Sequence, residues 1–363
     1  MKRIYLFMDS LGPGGAQRQF VGLACLLKQH GYEVMTATYY DHPFYKPLLE
    51  EGEVPYECFH VDSKLSFPKL INGIRRFKTD TIISFQTDPN SIACIAAKIC
   101  GVKLIVSERN THQSISLKDR VIFNLYRFAD YVVPNSFSEA RFIEDMFPFL
   151  KKKTVTITNF VDLHKFYPDS LIKANKRMVI MTAASIKASK NTKRYIEACI
   201  KALKMGCNID FVWYGVNDRN TDMPEYVKYT DECLKMVEVN GVSDRIRLLH
   251  KRQDIENAYR EADIFCLPSH FEGTPNVICE AMASGLPVMA SNVCDNSIFV
   301  QPNRNGWLFN QMDVDDMVNK LLEVSRIDSD ILSVYGKESR KIVEEKCSEE
   351  VFVGKYIKLI ESL

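Results

Sequence analysis

The sequence predicts an α/β protein of two doubly wound, parallel-sheet domains. Three observations predict it. Short apolar runs alternate with amphipathic helical patterns along nearly the whole chain, the order that places helices on both faces of a parallel sheet. The rhythm breaks once, in the polar segment Thr158–Lys176 with its Pro168, and then starts afresh. A chain of 363 residues is long for one core and typical of two domains.

Met1, Lys2 and Arg3 lead into the apolar run Ile4–Met8. The run is short, Asp9 ends it and no small-residue cleavage site follows, so it reads as a first buried strand rather than a signal peptide. Further strands are expected at Glu33–Thr38, Thr81–Phe85, Leu104–Val106, Tyr131–Val133 and Thr154–Ile157. Helical patterns lie between them at Ala16–His30, Lys69–Phe77, Asn90–Cys100, Arg120–Phe128 and Phe137–Phe147. The second series has strands at Met178–Ala183, Asp210–Tyr214, Arg245–Leu249, Asp263–Leu267, Leu286–Ala290 and Gly306–Phe309. Its helices are Lys193–Met205, Met223–Asn240, Ile255–Ala262 and Asp328–Lys346, and a last helix covers Glu349–Leu363. The domains are therefore 1–160 and 177–345, joined by a linker at 161–176 and followed by a C-terminal helix at 346–363. In such sheets ligands bind beyond the carboxyl ends of the strands.

A net charge of +1 provides no field that draws the chain to nucleic acid. No apolar run is long enough to span a bilayer. The eleven cysteines include no Cys-x-x-Cys and no Cys/His set with zinc spacing. Cys25, Cys94, Cys199, Cys266 and Cys279 sit in apolar contexts and read as small buried hydrophobes in a reducing cytoplasm.

The most informative stretch runs from His270 to Val288. Glu272 lies in a Gly-containing loop after Ile264–Leu267, and Glu280 lies eight positions on, inside a short apolar helix. Eight steps of about 100° leave the two carboxylates about 80° apart on a helical wheel. A single helix would not align them, whereas a loop glutamate and a helix glutamate converge on one ligand. Thr274 reads as N-cap, Pro275 as the first helical residue and Gly285 as the stop, with Pro287 beyond. A loop that feeds a helix N-terminus attracts an anion such as a diphosphate.

This block resembles the donor-site signature of the retaining glycosyltransferases of family 4, which have the GT-B fold: two Rossmann-like domains facing across a cleft. The resemblance implies that Glu280 meets the ribose hydroxyls and Glu272 the donor hexose. Gly273, Thr274, Pro275, Asn276 and Val277 would then surround sugar and phosphate through backbone N–H groups. It also implies that the last helix crosses back to the N-terminal domain.

Other segments fit the same family with departures. Ser10–Gln17 resembles its Gly-Gly-Ala loop, with Gly14 and Gly15 facing the diphosphate and the acceptor. The loop lacks Gly-x-Gly-x-x-Gly, and Asp41 lies too far on to read a ribose, which weakens a dinucleotide reading. At Ser107–Asn110, Arg109 occupies a position where many members carry histidine, and is expected to steady a phosphate. His112 and Asn110 are the acceptor-side candidates. Asn135-Ser136 reads as an ordinary N-cap. Thr158–Asp162 resembles an Asn-Gly-Val-Asp hinge with Phe160 in place of Gly. In Ala183–Asn191, Lys190 matches the phosphate-binding lysine, but Ser185 stands where the family usually has an arginine, leaving Lys187 as the second charge. Gly215, in Tyr214–Asn217, resembles the glycine near the nucleoside. Lys251 and Arg252 resemble the segment near the base.

Two acidic clusters, Asp313–Asp316 and Asp328–Asp330, mimic metal motifs, but each precedes a predicted helix and reads as a cap. No metal and no cofactor are expected. Lys64, Lys69, Arg75, Arg76 and Lys78 interleave with apolar residues. They read first as a plain surface helix and second as a contact for an anionic membrane. The implied function is a retaining, metal-independent glycosyltransferase at the cytoplasmic face of the membrane. It would move a hexose from a nucleotide diphosphate-sugar, UDP-sugar first, to a glycan or lipid-linked glycan of a bacterial surface polysaccharide. A sugar-nucleotide epimerase or a glycogen-type phosphorylase explains the two-glutamate block less well. A catalytically silent nucleotide-sugar binder or scaffold remains the alternative, supported by Ser185.

Overall fold

The computed structural model describes residues 1–169, 177–216 and 224–363. Residues 170–176 of the expected linker, Asn217, Met223 and the side chain of Lys64 lie outside the described residues. The chain forms two compact units, Met1–Phe160 with Glu349–Leu363, and Val161–Ser348.

The first unit runs β1 (Arg3–Met8), α1 (Gly15–Gln29), β2 (Glu33–Thr38), α2 (Lys46–Glu51), β3 (Tyr56–Cys58), α3 (Ser63–Phe77), β4 (Thr81–Phe85), α4 (Thr87–Cys100), β5 (Lys103–Glu108), α5 (Leu117–Leu125), β6 (Tyr131–Pro134) and α6 (Phe137–Met146). The second runs β7 (Met178–Ala183), α7 (Thr192–Lys204), β8 (Ile209–Val216), α8 (Pro224–Val239), β9 (Ile246–His250), α9 (Ile255–Glu261), β10 (Ile264–Leu267), α10 (Asn276–Ala283), β11 (Val288–Ser291), α11 (Asn296–Phe299), β12 (Gly306–Phe309), α12 (Val314–Val324) and α13 (Ser329–Cys347). The last helix, α14 (Glu349–Glu361), belongs to the first unit.

Both sheets are parallel and share one topology, β3-β2-β1-β4-β5-β6 and β12-β11-β10-β7-β8-β9. Each reverses its strand order once, between β1 and β4 and between β7 and β10. Strands covered on both faces must be apolar throughout, and Ile4–Met8 and Ile264–Leu267 are fully buried. The Phe160 that replaces a hinge glycine fills the first core: its ring packs on Phe352 of α14 at 5.0 Å, against Gly22 of α1.

Several sequence expectations shift. Thr154–Ile157 is not a strand; Thr154 forms one bridge to Val132, and Val155 and Ile157 donate to the backbone beyond it. The second sheet's strand Leu286–Ala290 starts two residues later, because Pro287 has no N–H to donate. Most apolar residues of the basic stretch face the core, with Leu70 and Ile74 buried, whereas Leu65 is 62% exposed. Lys69 donates to the Phe59 carbonyl at 2.6 Å and Arg76 pairs with Glu57. α3 is thus a half-buried helix. Among the described residues no helix is long and apolar enough to cross a membrane.

Candidate functional site

In the second unit the reversal of strand order lies between β7 and β10, so the loops leaving these two strands frame the place where such sheets bind ligands. The loops are tied together: the His270 N–H donates to the Ser189 carbonyl at 2.9 Å. Across them the Lys190 ammonium forms an ion pair with Glu272, the two side chains 22% and 12% exposed. Two residues singled out separately, 82 positions apart, thus meet.

More positive charge gathers here. The Lys187 ammonium is held below the usual lysine range by burial first and then by Lys190 and Lys251, with Glu272 opposing. Arg194 of α7 places Nη1 3.4 Å from His270 Nε2. Burial, then Arg194, keeps the imidazole below its ordinary pKa. Sequence reasoning assigned no role to Arg194 or His270; a basic residue in the first turn of an amphipathic helix carries no signal of its own.

The loop that holds Ser185 is fixed by its neighbour strand. Ile186 N–H donates to the Gly215 carbonyl at 3.1 Å, and Trp213 Nε1 donates to the Ala184 carbonyl at 2.6 Å. A Cβ on Gly215 would lie 1.8 Å from the Ala184 carbonyl oxygen, so only glycine permits this approach. Gly215 therefore shapes the β7 loop rather than merely bordering a ligand.

Glu280 sits on α10, buried, and accepts a bond of 3.0 Å from the Tyr259 hydroxyl of α9. Tyr259 went unnoticed in the sequence because an aromatic in a helix reads as core. The expected cap is displaced by one residue. Pro275, at φ −76° and ψ 106°, is the N-cap and α10 starts at Asn276, with Thr274 buried before it. Both Ile278 and Cys279 N–H groups turn back to the Pro275 carbonyl. The helix start has no side-chain cap and no acidic residue in its first turn, which suits an anion. Gly273 to Val277 lie along this approach.

Arg252 departs from its expected role. Its guanidinium forks onto Asp254 at 2.8 Å and Glu261 at 2.9 Å. Hydrogen bonds to these two carboxylates raise its pKa and lower that of Asp254. These two carboxylates make the guanidinium a local brace at the end of β9. Lys251 beside it is exposed.

In the first unit, Gly14 precedes α1 in extended backbone and Gly15 opens the helix. Arg109 is also revised. It is buried and donates to Asn159 Oδ1 at 2.9 Å and to the Tyr356 hydroxyl of α14 at 2.6 Å, with its guanidinium 4.4 Å from the Phe85 ring centroid. These bonds make it an internal tie between β5, the Asn159 segment and α14, and its reading as a phosphate ligand gives way. His112 donates from its backbone and places Nδ1 2.7 Å from Glu139, with the ring between Phe123 and Phe142. Burial opposes the charged ring, but the bond and charge of Glu139 outweigh it, so its pKa is raised. Asn110 Nδ2 donates to Thr87 Oγ1 at 3.0 Å. The Asn110 N–H also donates to Glu108 Oε1 at 3.3 Å; Glu108 is fully buried and accepts from Thr87 and Tyr126.

The acidic clusters cap helices. Asp313 accepts from the Asp315 and Asp316 N–H groups, and Asp328 from that of Asp330. Ser136 likewise caps α6 by accepting from Glu139. Among the described residues one group has the composition of a metal site, Asp41, Cys58 and His60, with ligand atoms within 4.8 Å of one another. Its Asp and His are exposed and its Cys is half-buried on β3.

Two domain families match in tandem: Glycosyltransferase Family 4 over residues 13–165 and Glycosyl transferases group 1 over residues 177–326. The chain is a family 4 glycosyltransferase. Its similarity extends to a UDP-Gal:alpha-D-GlcNAc-diphosphoundecaprenol alpha-1,3-galactosyltransferase of Escherichia coli, 27% identical over 80% of this chain and 78% of that one. It also resembles the Campylobacter jejuni N-acetylgalactosamine-N,N'-diacetylbacillosaminyl-diphospho-undecaprenol 4-alpha-N-acetylgalactosaminyltransferase, 24% identical over 80% and 81%. In fold it matches the Anabaena protein HepE crystallised with UDP, with a TM-score of 0.86, 20% identity and full coverage of both chains. The glycosyltransferase thus has the GT-B fold, with the carboxyl-edge loops of its second sheet carrying Lys190, Glu272 and Lys187.

Proposed function

We propose that this glycosyltransferase takes a hexose from a nucleotide diphosphate-sugar, UDP-sugar first, with retention and without a metal ion. The acceptor is a glycan or lipid-linked glycan of a bacterial surface polysaccharide, reached at the cytoplasmic face of the membrane. The observation that carries the reading is the Lys190–Glu272 pair across the β7 and β10 loops, with Lys187 and Lys251 beside it. Charge grows on the diphosphate as the sugar departs, and cations placed beforehand stabilise it without reorganisation. Lys190 exchanges its carboxylate partner for phosphate, which releases Glu272 to a sugar hydroxyl. Lys187, in the same loop as Ser185, supplies the charge that an arginine at 185 would bring. Glu280, bonded to Tyr259, meets the ribose hydroxyls. Backbone N–H groups of Gly273 to Val277 complete the donor contacts of the second unit, and the leaving phosphate takes the acceptor proton.

The E. coli relative is named for UDP-Gal and a diphosphoundecaprenol acceptor, which supports the choice of base and of acceptor class; HepE was crystallised with UDP, in keeping with the same base. The test is transfer from a UDP-α-sugar to polyprenyl diphosphate-GlcNAc with and without EDTA, reading the new anomeric centre by NMR. An α-linked product formed in EDTA agrees with the reading; a β-linked product, or activity lost to EDTA, contradicts it. A silent nucleotide-sugar binder is the second reading, favoured by Ser185, and donor hydrolysis by the wild type would exclude it.

A further inference from the structure

The first unit has the same reversal of strand order, between β1 and β4, and a different chemistry stands there. Asp9 leaves β1 and Gln86 leaves β4. With its amide nitrogen toward Asp9, Gln86 donates to both carboxylate oxygens at 2.8 and 3.0 Å. Gln17, in the first turn of α1, reaches Asp9 Oδ1 at 3.4 Å, and the Ser10 N–H donates to it at 2.6 Å. Among the described residues no lysine, arginine or histidine forms an ion pair with Asp9.

Gln86 occupies φ 74° and ψ 155°, a region otherwise used by glycine, where strain persists only when the surroundings impose it. Its backbone is pinned, its N–H donating to the Ser107 carbonyl at 3.0 Å and its carbonyl accepting from Asn90 at 2.9 Å. A glutamine kept where glycine is at home must contribute through its side chain, and what that side chain provides is the pair of bonds to Asp9. The Tyr39–Tyr45 loop is tied to the same place: Tyr39 and Tyr40 N–H groups donate to the Asp9 carbonyl, and Tyr45 to that of Leu11. This loop exposes Tyr40 and Phe44, at 42% and 62%.

Asp9 Oδ1 takes three of the bonds from Gln17, Gln86 and Ser10, and Oδ2 only one; each carboxylate oxygen has about two lone-pair directions, so Oδ2 has room for a further donor. Carboxylate and amides side by side, next to exposed aromatic rings, match a pyranose: hydroxyls on its rim and an apolar ring face. We propose that Asp9, braced by Gln17 and Gln86, reads a hydroxyl of an acceptor sugar, with Tyr40 and Phe44 as its apolar wall. The proposal rests on the glycosyltransferase reading and adds the acceptor chemistry. It makes Asp9 a binding residue of the first unit rather than part of the donor site.

The test is saturation-transfer NMR on the full chain with the methyl α-glycosides of Gal, Glc, GlcNAc and GalNAc, alongside UDP-sugar binding. Wild type is expected to bind at least one glycoside. In Asp9→Asn its Kd rises about tenfold, the loss of one charge-assisted hydrogen bond, while UDP-sugar affinity stays unchanged. Gln86→Gly suits the backbone, so it folds with an undiminished Tm yet weakens glycoside binding. The proposal is overturned if wild type saturates none of the glycosides, if Asp9→Asn binds them equally well, or if Gln86→Gly retains full glycoside affinity. A change confined to UDP-sugar affinity would assign Asp9 to the donor sugar and equally overturn it. Failure of wild type to bind any nucleotide would instead refute the donor site, and the glycoside arm would still decide the role of Asp9.

Discussion

Lys190→Ala is the perturbation with the most to teach, because the Lys190–Glu272 pair admits two accounts. In one, Lys190 neutralises the departing diphosphate; in the other it only holds Glu272 in place. Losing one preorganised group that stabilises developing charge costs about 10²–10³ in turnover, or about 2.7–4 kcal/mol. The pair is neither fully buried nor fully exposed, with side chains 22% and 12% accessible. Its loss therefore falls between an exposed pair at about 0–1 kcal/mol and a broken buried pair at about 3–5 kcal/mol. A loss of about 1–2 kcal/mol would lower the melting temperature by about 2–8 °C. The assay is a double-mutant cycle on turnover with wild type, Lys190→Ala, Glu272→Gln and the double variant. If Lys190 acts on the phosphate, removing it in the Glu272→Gln background still costs about 10² in turnover. Unchanged turnover in Lys190→Ala, or a loss that vanishes in the Glu272→Gln background, refutes the reasoning.

Three further outcomes follow from the same geometry. Glu280→Gln weakens binding of the free nucleotide by about tenfold, one charged hydrogen bond, whereas Glu272→Gln spares it and lowers transfer from the full donor; isothermal titration with UDP separates them, and equal losses contradict the division. Arg109→Ala removes a buried tie to Asn159 and Tyr356, so it lowers unfolding free energy by about 2 kcal/mol while nucleotide affinity stays constant; denaturant melts and titration together check this, and lost affinity in a stable variant would restore the phosphate reading. Gly215→Ala forces a Cβ against the Ala184 carbonyl, so it costs about 1–3 kcal/mol and weakens donor binding through the Ser185–Lys190 loop; a variant as stable as wild type would contradict the packing argument.

Much of this was legible in the sequence, for physical reasons. Strands buried on both faces are uninterrupted apolar runs, and eleven of the twelve strands among the described residues overlap strands expected from the sequence. The three-residue β3 and the six-residue α2 are too short for periodicity to register. Lys190, Glu272 and Glu280 were visible as members of motifs, but the pairing of Lys190 with Glu272 and the Tyr259 partner of Glu280 were not. Tyr259 looks like any core aromatic until its hydroxyl is seen on Glu280. Arg109 follows a strand end, where ligands are expected, yet it turns inward to Tyr356, 247 residues away. No local pattern encodes such a long-range bond. Asp9 and Gln86 escaped notice because nothing in a glutamine betrays a left-handed backbone.

The central claim is that the second unit holds a nucleotide diphosphate-sugar without a metal. Thermal unfolding of the full chain with UDP-, GDP-, ADP- and CMP-sugars, with and without EDTA, tests it most directly. The account predicts a higher melting temperature with UDP-sugars that EDTA leaves in place and Lys190→Ala diminishes. No stabilisation by any of the four, or stabilisation that EDTA abolishes, would contradict it.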